Sequence, residues 1–318
     1  MRKICFPVLA LCMAILVSCS KDSNSSSNGG GGGNTTVGKK ISEIYEAYSN
    51  IEEESTDYGQ TWSQTYSYSY DSELDEAWNW NGDKITSIDY YHESEIYGSD
   101  VFTYDSGGNV SKITYSSSDY SDYIKFTYSG SKISKFEIYV DAILYEAWEL
   151  SYSGNKIIRI NCIYLLDDTK AKISDRRKSF LKNFHYAENS GTSLQKDGLP
   201  YMTLTWTGNN ITQIRVVRSD EEEYAGTYSY DSKQNPYYGG NVLTAEVIWN
   251  AGITKLSQNN VTYCYDSNGD TENYSYNYYD NYPMQESYSY VYTGTYYDGT
   301  MYRDTYTYRY DYTYLTEN

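Results

Sequence analysis

Phe126-Thr127-Tyr128-Ser129-Gly130-Ser131-Lys132-Ile133-Ser134-Lys135-Phe136-Glu137-Ile138 reads as one β-hairpin. Side chains alternate across a strand, so Phe126 and Tyr128 share a face and Thr127 points the other way. Gly130 supplies a residue that tolerates positive φ, as a tight hairpin turn demands. On the return strand Phe136 and Ile138 are again two apart.

The same pattern recurs along the chain. It appears as Trp78-Asn79-Trp80 with Gly82-Asp83-Lys84-Ile85, and as Phe102-Thr103-Tyr104 with Gly107-Gly108-Asn109-Val110. It returns as Leu150-Ser151-Tyr152 with Gly154-Asn155-Lys156-Ile157, and as Leu204-Thr205-Trp206 with Gly208-Asn209-Asn210-Ile211. The return strands pair Ile88 with Tyr90, Ile113 with Tyr115, Ile160 with Cys162 and Ile214 with Val216. A period of about 24 residues fits two strands and two turns. The expected fold is all-β: a long antiparallel meander of repeated hairpins, with about fifteen strands between Lys40 and Leu315. A sheet that long with one apolar face should roll into a barrel-like or open-roll shape, or fold into two layers, with that face inward.

The 43 tyrosines fit this reading, since Tyr favours strands and half-buried surfaces. Runs such as Tyr66-Ser67-Tyr68-Ser69-Tyr70, Tyr288-Ser289-Tyr290-Val291-Tyr292 and Tyr306-Thr307-Tyr308-Arg309-Tyr310 put every ring of a run on one face.

Residues 1–18 read as a lipoprotein signal peptide. Arg2 and Lys3 precede an apolar stretch from Ile4 to Val17, and Leu16-Val17-Ser18-Cys19 has the lipobox pattern. Cys19 is therefore expected to become a lipidated N-terminus, each buried CH₂ contributing ~0.8 kcal/mol of membrane affinity. Ser20 after it favours the outer membrane, and Lys21-Asp22 partly matches a surface-export signal. Residues 19–38, with five glycines at 29–33, form a flexible tether reaching ~25 Å. Residues 39–318 then make a single domain with room for a substantial core.

The formal charge of −18 becomes more negative once Arg2 and Lys3 are removed, which argues against a nucleic-acid partner. One segment interrupts the period, at about 166–200. It gathers Lys170, Lys172, Arg176, Arg177, Lys178 and Lys182, and is expected to be a helix or long loop plugging one end, or a contact for an anionic partner. Cys162 and Cys264 are the two cysteines of the folded part; whether they pair is left open.

Tyr-Asp-Ser-Gly-Gly-Asn at 104–109, Tyr-Asp-Ser-Lys-Gln-Asn-Pro at 230–236 and Tyr-Asp-Ser-Asn-Gly-Asp at 265–270 resemble YD (Rhs-like) β-hairpin repeats. With the lipobox, the chain is similar to tyrosine-rich Bacteroidota outer-membrane lipoproteins of unknown function. The Asp of the repeat is replaced at Asn81, Ser129, Ser153 and Thr207. The resemblance implies an envelope location and a hairpin-repeat fold, and brings no activity.

Candidate chemistry is sparse. His92 and His185 lie outside any zinc-type spacing, and no nucleophile elbow or phosphate loop is present. Asp266-Ser267-Asn268-Gly269-Asp270 has the oxygens of a calcium loop at three positions but the wrong glycine placement, so a hairpin turn is favoured. No catalytic, cofactor-binding or metal residue is assigned, and the protein is expected not to be an enzyme. The expected role is non-catalytic capture, with glycans as the ligand class because aromatic faces suit sugar rings; Trp62, Trp148 and Trp249 are the candidate contacts. Two other readings remain: a structural or protein-interaction scaffold, and a membrane barrel with its aromatic face in lipid, which the missing apolar belt disfavours.

Overall fold

A computed structural model describes residues 39–117, 121–166, 199–218, 221–250, 252–267, 269 and 271–315. Sixteen strands follow in chain order. They are β1 (Ile41–Ser55), β2 (Ser63–Asn81), β3 (Lys84–His92), β4 (Glu95–Tyr104), β5 (Val110–Ser117), β6 (Ser121–Ser129), β7 (Lys132–Val140) and β8 (Ile143–Ser153). Then come β9 (Lys156–Leu165), β10 (Tyr201–Thr207), β11 (Asn210–Arg218), β12 (Glu221–Tyr230), β13 (Val261–Asp266), β14 (Thr271–Tyr279), β15 (Tyr282–Thr295) and β16 (Met301–Tyr314). Each pairs antiparallel with its sequence neighbours, and β1 also pairs with β16, so the sheet is one closed barrel. The meander is as the sequence implies, with sixteen strands rather than about fifteen and a closed wall rather than an open roll or two layers. Closure comes from a long register, from Ile41 opposite Tyr314 to Ser55 opposite Met301, which joins the two edges of the meander.

The wall has an apolar inside and a charged outside. Ile85, Ile113, Ile133, Phe136, Ile160 and Ile214 are all buried in the lumen. On the outer face Lys112 lies opposite Lys125, and Lys125 opposite Glu137. Further round, Lys135 lies opposite Glu149, which lies opposite Asn161. A membrane-spanning barrel turns an apolar band outward, and each Lys or Arg on that band costs about 2–4 kcal/mol at the midplane. These outward positions are charged or polar, and the large apolar positions of the same strands turn into the lumen.

The recurring aromatic before each hairpin turn has a mechanical role. Tyr104 donates its hydroxyl to the carbonyl of Ile85 at 2.7 Å, Tyr128 to Val110 at 3.0 Å and Tyr152 to Ile133 at 2.8 Å. Trp80 and Trp206 do the same through Nε1, to Ile41 and Ile157, both at 2.7 Å. Each hairpin is thus clasped to the one before it. The lysine after the turn adds a second hold: Lys84 lies 4.8 Å from the ring centre of Tyr104, Lys132 5.3 Å from Tyr152 and Lys156 5.6 Å from Trp206.

A sixteen-stranded ring is too wide for wall side chains alone to fill. The filler is the excursion between β12 and β13, which carries helix α1 (Asn241–Trp249) and a 3₁₀ turn, Ile253–Leu256. Val242, Leu243, Ala245, Val247, Ile248 and Trp249 are all buried, as is Glu246 among them, and α1 packs against β5 and β7. Asn235 fixes the excursion, donating to the carbonyl of Lys255 at 3.0 Å and accepting from the Tyr237 amide at 3.1 Å. The interruption expected at about 166–200 falls between β9 and β10; residues 167–198, with the basic cluster and His185, lie outside the described residues.

Cys162 on β9 and Cys264 on β13 are buried and are not joined by a disulfide. Three strands stand between them, roughly 19 Å along the wall at about 4.8 Å per strand, beyond the reach of a disulfide.

Candidate functional site

Four neighbouring strands, β2, β1, β16 and β15, outrun the rest of the wall at the end away from the Gly82, Gly130 and Gly154 turns. They form a lip. Its concave face continues the lumen lining, and its composition is set by period-2 alternation: Tyr70, Tyr68 and Tyr66 of β2 stand opposite Tyr48, Asn50 and Glu52 of β1. Those in turn oppose Tyr308, Tyr306 and Asp304 of β16, which oppose Tyr288, Tyr290 and Tyr292 of β15.

The rings pack as a ladder from core to solvent. Tyr48 and Tyr308 lie 4.9 Å apart, Tyr290 and Tyr306 also 4.9 Å, and Tyr292 and Tyr302 5.8 Å. Tyr308 is buried at the base, whereas Tyr68 and Tyr292 are 51% and 57% exposed at the rim. Near the middle, Asn50 is buried between Tyr68 and Tyr306 in register, and its Oδ1 has no hydrogen-bond partner among the described residues. Gly294 makes room for Tyr302, because a Cβ there would run into that ring.

The electrostatics keep this face neutral or negative. Burial, then Asp304, pushes the Tyr306 hydroxyl up to about 12, and a hydrogen bond with Tyr292 does the same for Tyr302. Burial, then Glu52, raises the Asp304 carboxyl. The hydroxyls stay protonated at neutral pH, so the face offers flat apolar rings rimmed by hydroxyl donors and carboxylate acceptors. Among the described residues no group of three or more His, Cys, Asp or Glu could hold a metal ion.

Deeper in, carboxylates are held by aromatic donors. Trp78 donates to Glu76 at 2.8 Å and Trp148 to Glu146 at 2.9 Å. Tyr90 donates to Asp100 at 2.6 Å and Tyr312 to Glu286 at 2.8 Å. Burial lifts Glu76 to about 7, and burial with Glu76 and Glu46 nearby lifts Asp75 to about 8.

The three tryptophans singled out from the sequence are not brought together. Trp148 is fully buried in the wall, stacked on Phe136 at 6.2 Å, and Trp249 is buried on α1. Both are core residues closed to a ligand from solvent, because their strand and helix faces turn into the lumen. Trp62 sits in the β1–β2 loop with the Arg303 guanidinium 4.4 Å from its ring centre. The Tyr-Ser-Tyr runs were the signal for the lip, since only length beyond the neighbouring strands separates its exposed rings from buried ones. Glu-Ala-Trp, present at both 76–78 and 146–148, was the signal for the lumen carboxylates.

No family model matches the chain, and no curated protein does. Among solved structures it is similar to a porin-like protein from Bacteroides uniformis, at 11% identity and a TM-score of 0.46, covering 86% of this chain and 98% of that one.

Proposed function

We propose that this is a non-catalytic cell-envelope protein, held at the outer membrane through lipidated Cys19, that captures glycans on the tyrosine lip. The observation that carries the reading is the continuity of the lumen's aromatic face into solvent. Rings that would be core elsewhere in the barrel are presented to solvent at Tyr66, Tyr68 and Tyr292. Planar rings stack on the C–H faces of sugars, and Asn50, Glu52 and Asp304 supply acceptors for hydroxyls. The charge of the chain disfavours nucleic acid and other polyanions, so neutral polysaccharides fit best. No cofactor is needed for capture.

The test is a polysaccharide panel against the protein and its Tyr66→Ala, Tyr68→Ala and Tyr292→Ala variants. Each variant is expected to weaken binding about fivefold, the equivalent of about 1 kcal/mol per stacked ring. Silence across the panel would sink glycan capture and leave the scaffold reading.

A further inference from the structure

The lip has a bare edge. Strand β2 pairs with β1 from Ser63 to Ala77, but with β3 only from Glu76 to Asn81. Among the described residues, nothing pairs with the other edge of β2 from Ser63 to Asp75. We propose that this edge is a pairing site for a second copy of the chain, giving a two-fold dimer through antiparallel β2–β2 addition.

Three features of the edge choose this occupant. First, a strand edge is a template of unpaired amides and carbonyls, and proteins normally blunt it with Lys, Pro or a bulge. Register breaks fall on either side of Tyr66–Tyr70, between Glu52 and Glu53 of the partner strand and between Glu46 and Tyr48. The five residues between them are regular and carry neither Lys nor Pro. Second, Ser63–Tyr70 has no charge, although acidic residues outnumber basic ones by 43 to 25. Two copies meet there without setting carboxylate against carboxylate: about Tyr68, the first acid, Asp71, falls opposite Thr65. Third, Tyr66-Ser67-Tyr68-Ser69-Tyr70 reads the same in both directions. Antiparallel pairing about Tyr68 sets Tyr66 opposite Tyr70 of the other copy and Ser67 opposite Ser69, so rings meet rings on one face and hydroxyls meet hydroxyls on the other. The contact is isologous and closes as a dimer. It also fuses two tyrosine lips into one surface, although the pairing does not depend on what that surface binds.

Cysteine crosslinking of the full chain in intact cells tests the register. With the two-fold on Tyr68, Tyr68→Cys places two Cβ atoms roughly 4.5–5.5 Å apart, close enough to oxidise to a disulfide. A reducible dimer is expected for Tyr68→Cys alone. Tyr66→Cys and Tyr70→Cys should crosslink when co-expressed and not singly. Absence of the Tyr68→Cys dimer overturns the proposal. Crosslinking of Tyr68→Cys with Tyr292→Cys, or a ladder beyond two copies, also overturns it, since that marks head-to-tail pairing of β2 with β15. A second variant keeps the question separate from folding. The double substitution Ser67→Lys with Ser69→Lys sets lysine opposite lysine. It should keep the wild-type melting temperature while weakening dimerisation at least tenfold by light scattering, and mixing it with Ser67→Glu plus Ser69→Glu should restore the dimer. A wild-type mass of one chain at tens of micromolar would end the proposal.

Discussion

At the scale of single residues, the tyrosines divide into workers of different kinds. Those that precede a turn, such as Tyr128 and Tyr152, hold neighbouring hairpins through one hydrogen bond each. A hydrogen bond of this kind contributes about 1 kcal/mol net. Tyr128→Phe and Tyr152→Phe are each expected to lower the melting temperature by about 2–4 °C while leaving the strand signal in circular dichroism intact. Asp75 and Glu76 act in the opposite sense. Their folded values, about 8 and about 7, lie above those of an unfolded chain, about 4. The folded state therefore keeps protons that the unfolded state releases, and stability falls as pH rises from about 4 to about 8 before levelling. Asp75→Asn should flatten that fall in a series of urea melts; an unchanged slope would show that Asp75 is ionised in the fold.

At the scale of elements, the hairpins with a glycine turn were legible because their periodicity, their turn residue and their apolar pairs all agree. Ile113 with Tyr115 and Phe136 with Ile138 are buried as pairs, as two-residue spacing requires. The excursion carrying α1 was not legible. A largely apolar helix buried on nearly every side has no clear amphipathic stripe, and Val242–Trp249 is too short to separate from a buried strand by pattern alone. The lip was half legible: the alternation of Tyr and Ser places the rings on one face, but only the stopping points of β3 and β14 decide which rings meet water. Turns without glycine were a weaker signal still. Asp141 and Ala142 both adopt positive φ, at 48° and 62°, a conformation that disfavours alanine. Replacing them by Asn-Gly, the pair suited to a type I′ turn, is expected to raise stability by about 1 kcal/mol in chemical denaturation. A loss of stability would mean that the two side chains make contacts outweighing their backbone cost.

At the scale of the whole molecule, the polarity of the wall bears on the proposed lipid anchor. Lys112, Lys125 and Lys135 lie on the outer face, so under the proposed function membrane attachment rests on Cys19. Cys19→Ala is expected to move the protein into the detergent-free soluble fraction; retention in washed membranes would show that the barrel itself is embedded. The first and last strands enter and leave at the end of the barrel that carries the Gly82 turn, where the Leu315 amide donates to the Lys40 carbonyl at 2.9 Å. That same junction makes the backbone almost a ring: β16 hands over to β1 much as each hairpin hands over to the next. A circular permutant that joins Leu315 to Lys40 through a short linker and starts its chain within the lip loop at Asp57–Thr61 would keep every strand pair, so the starting point of the polypeptide is a matter of tethering rather than of architecture.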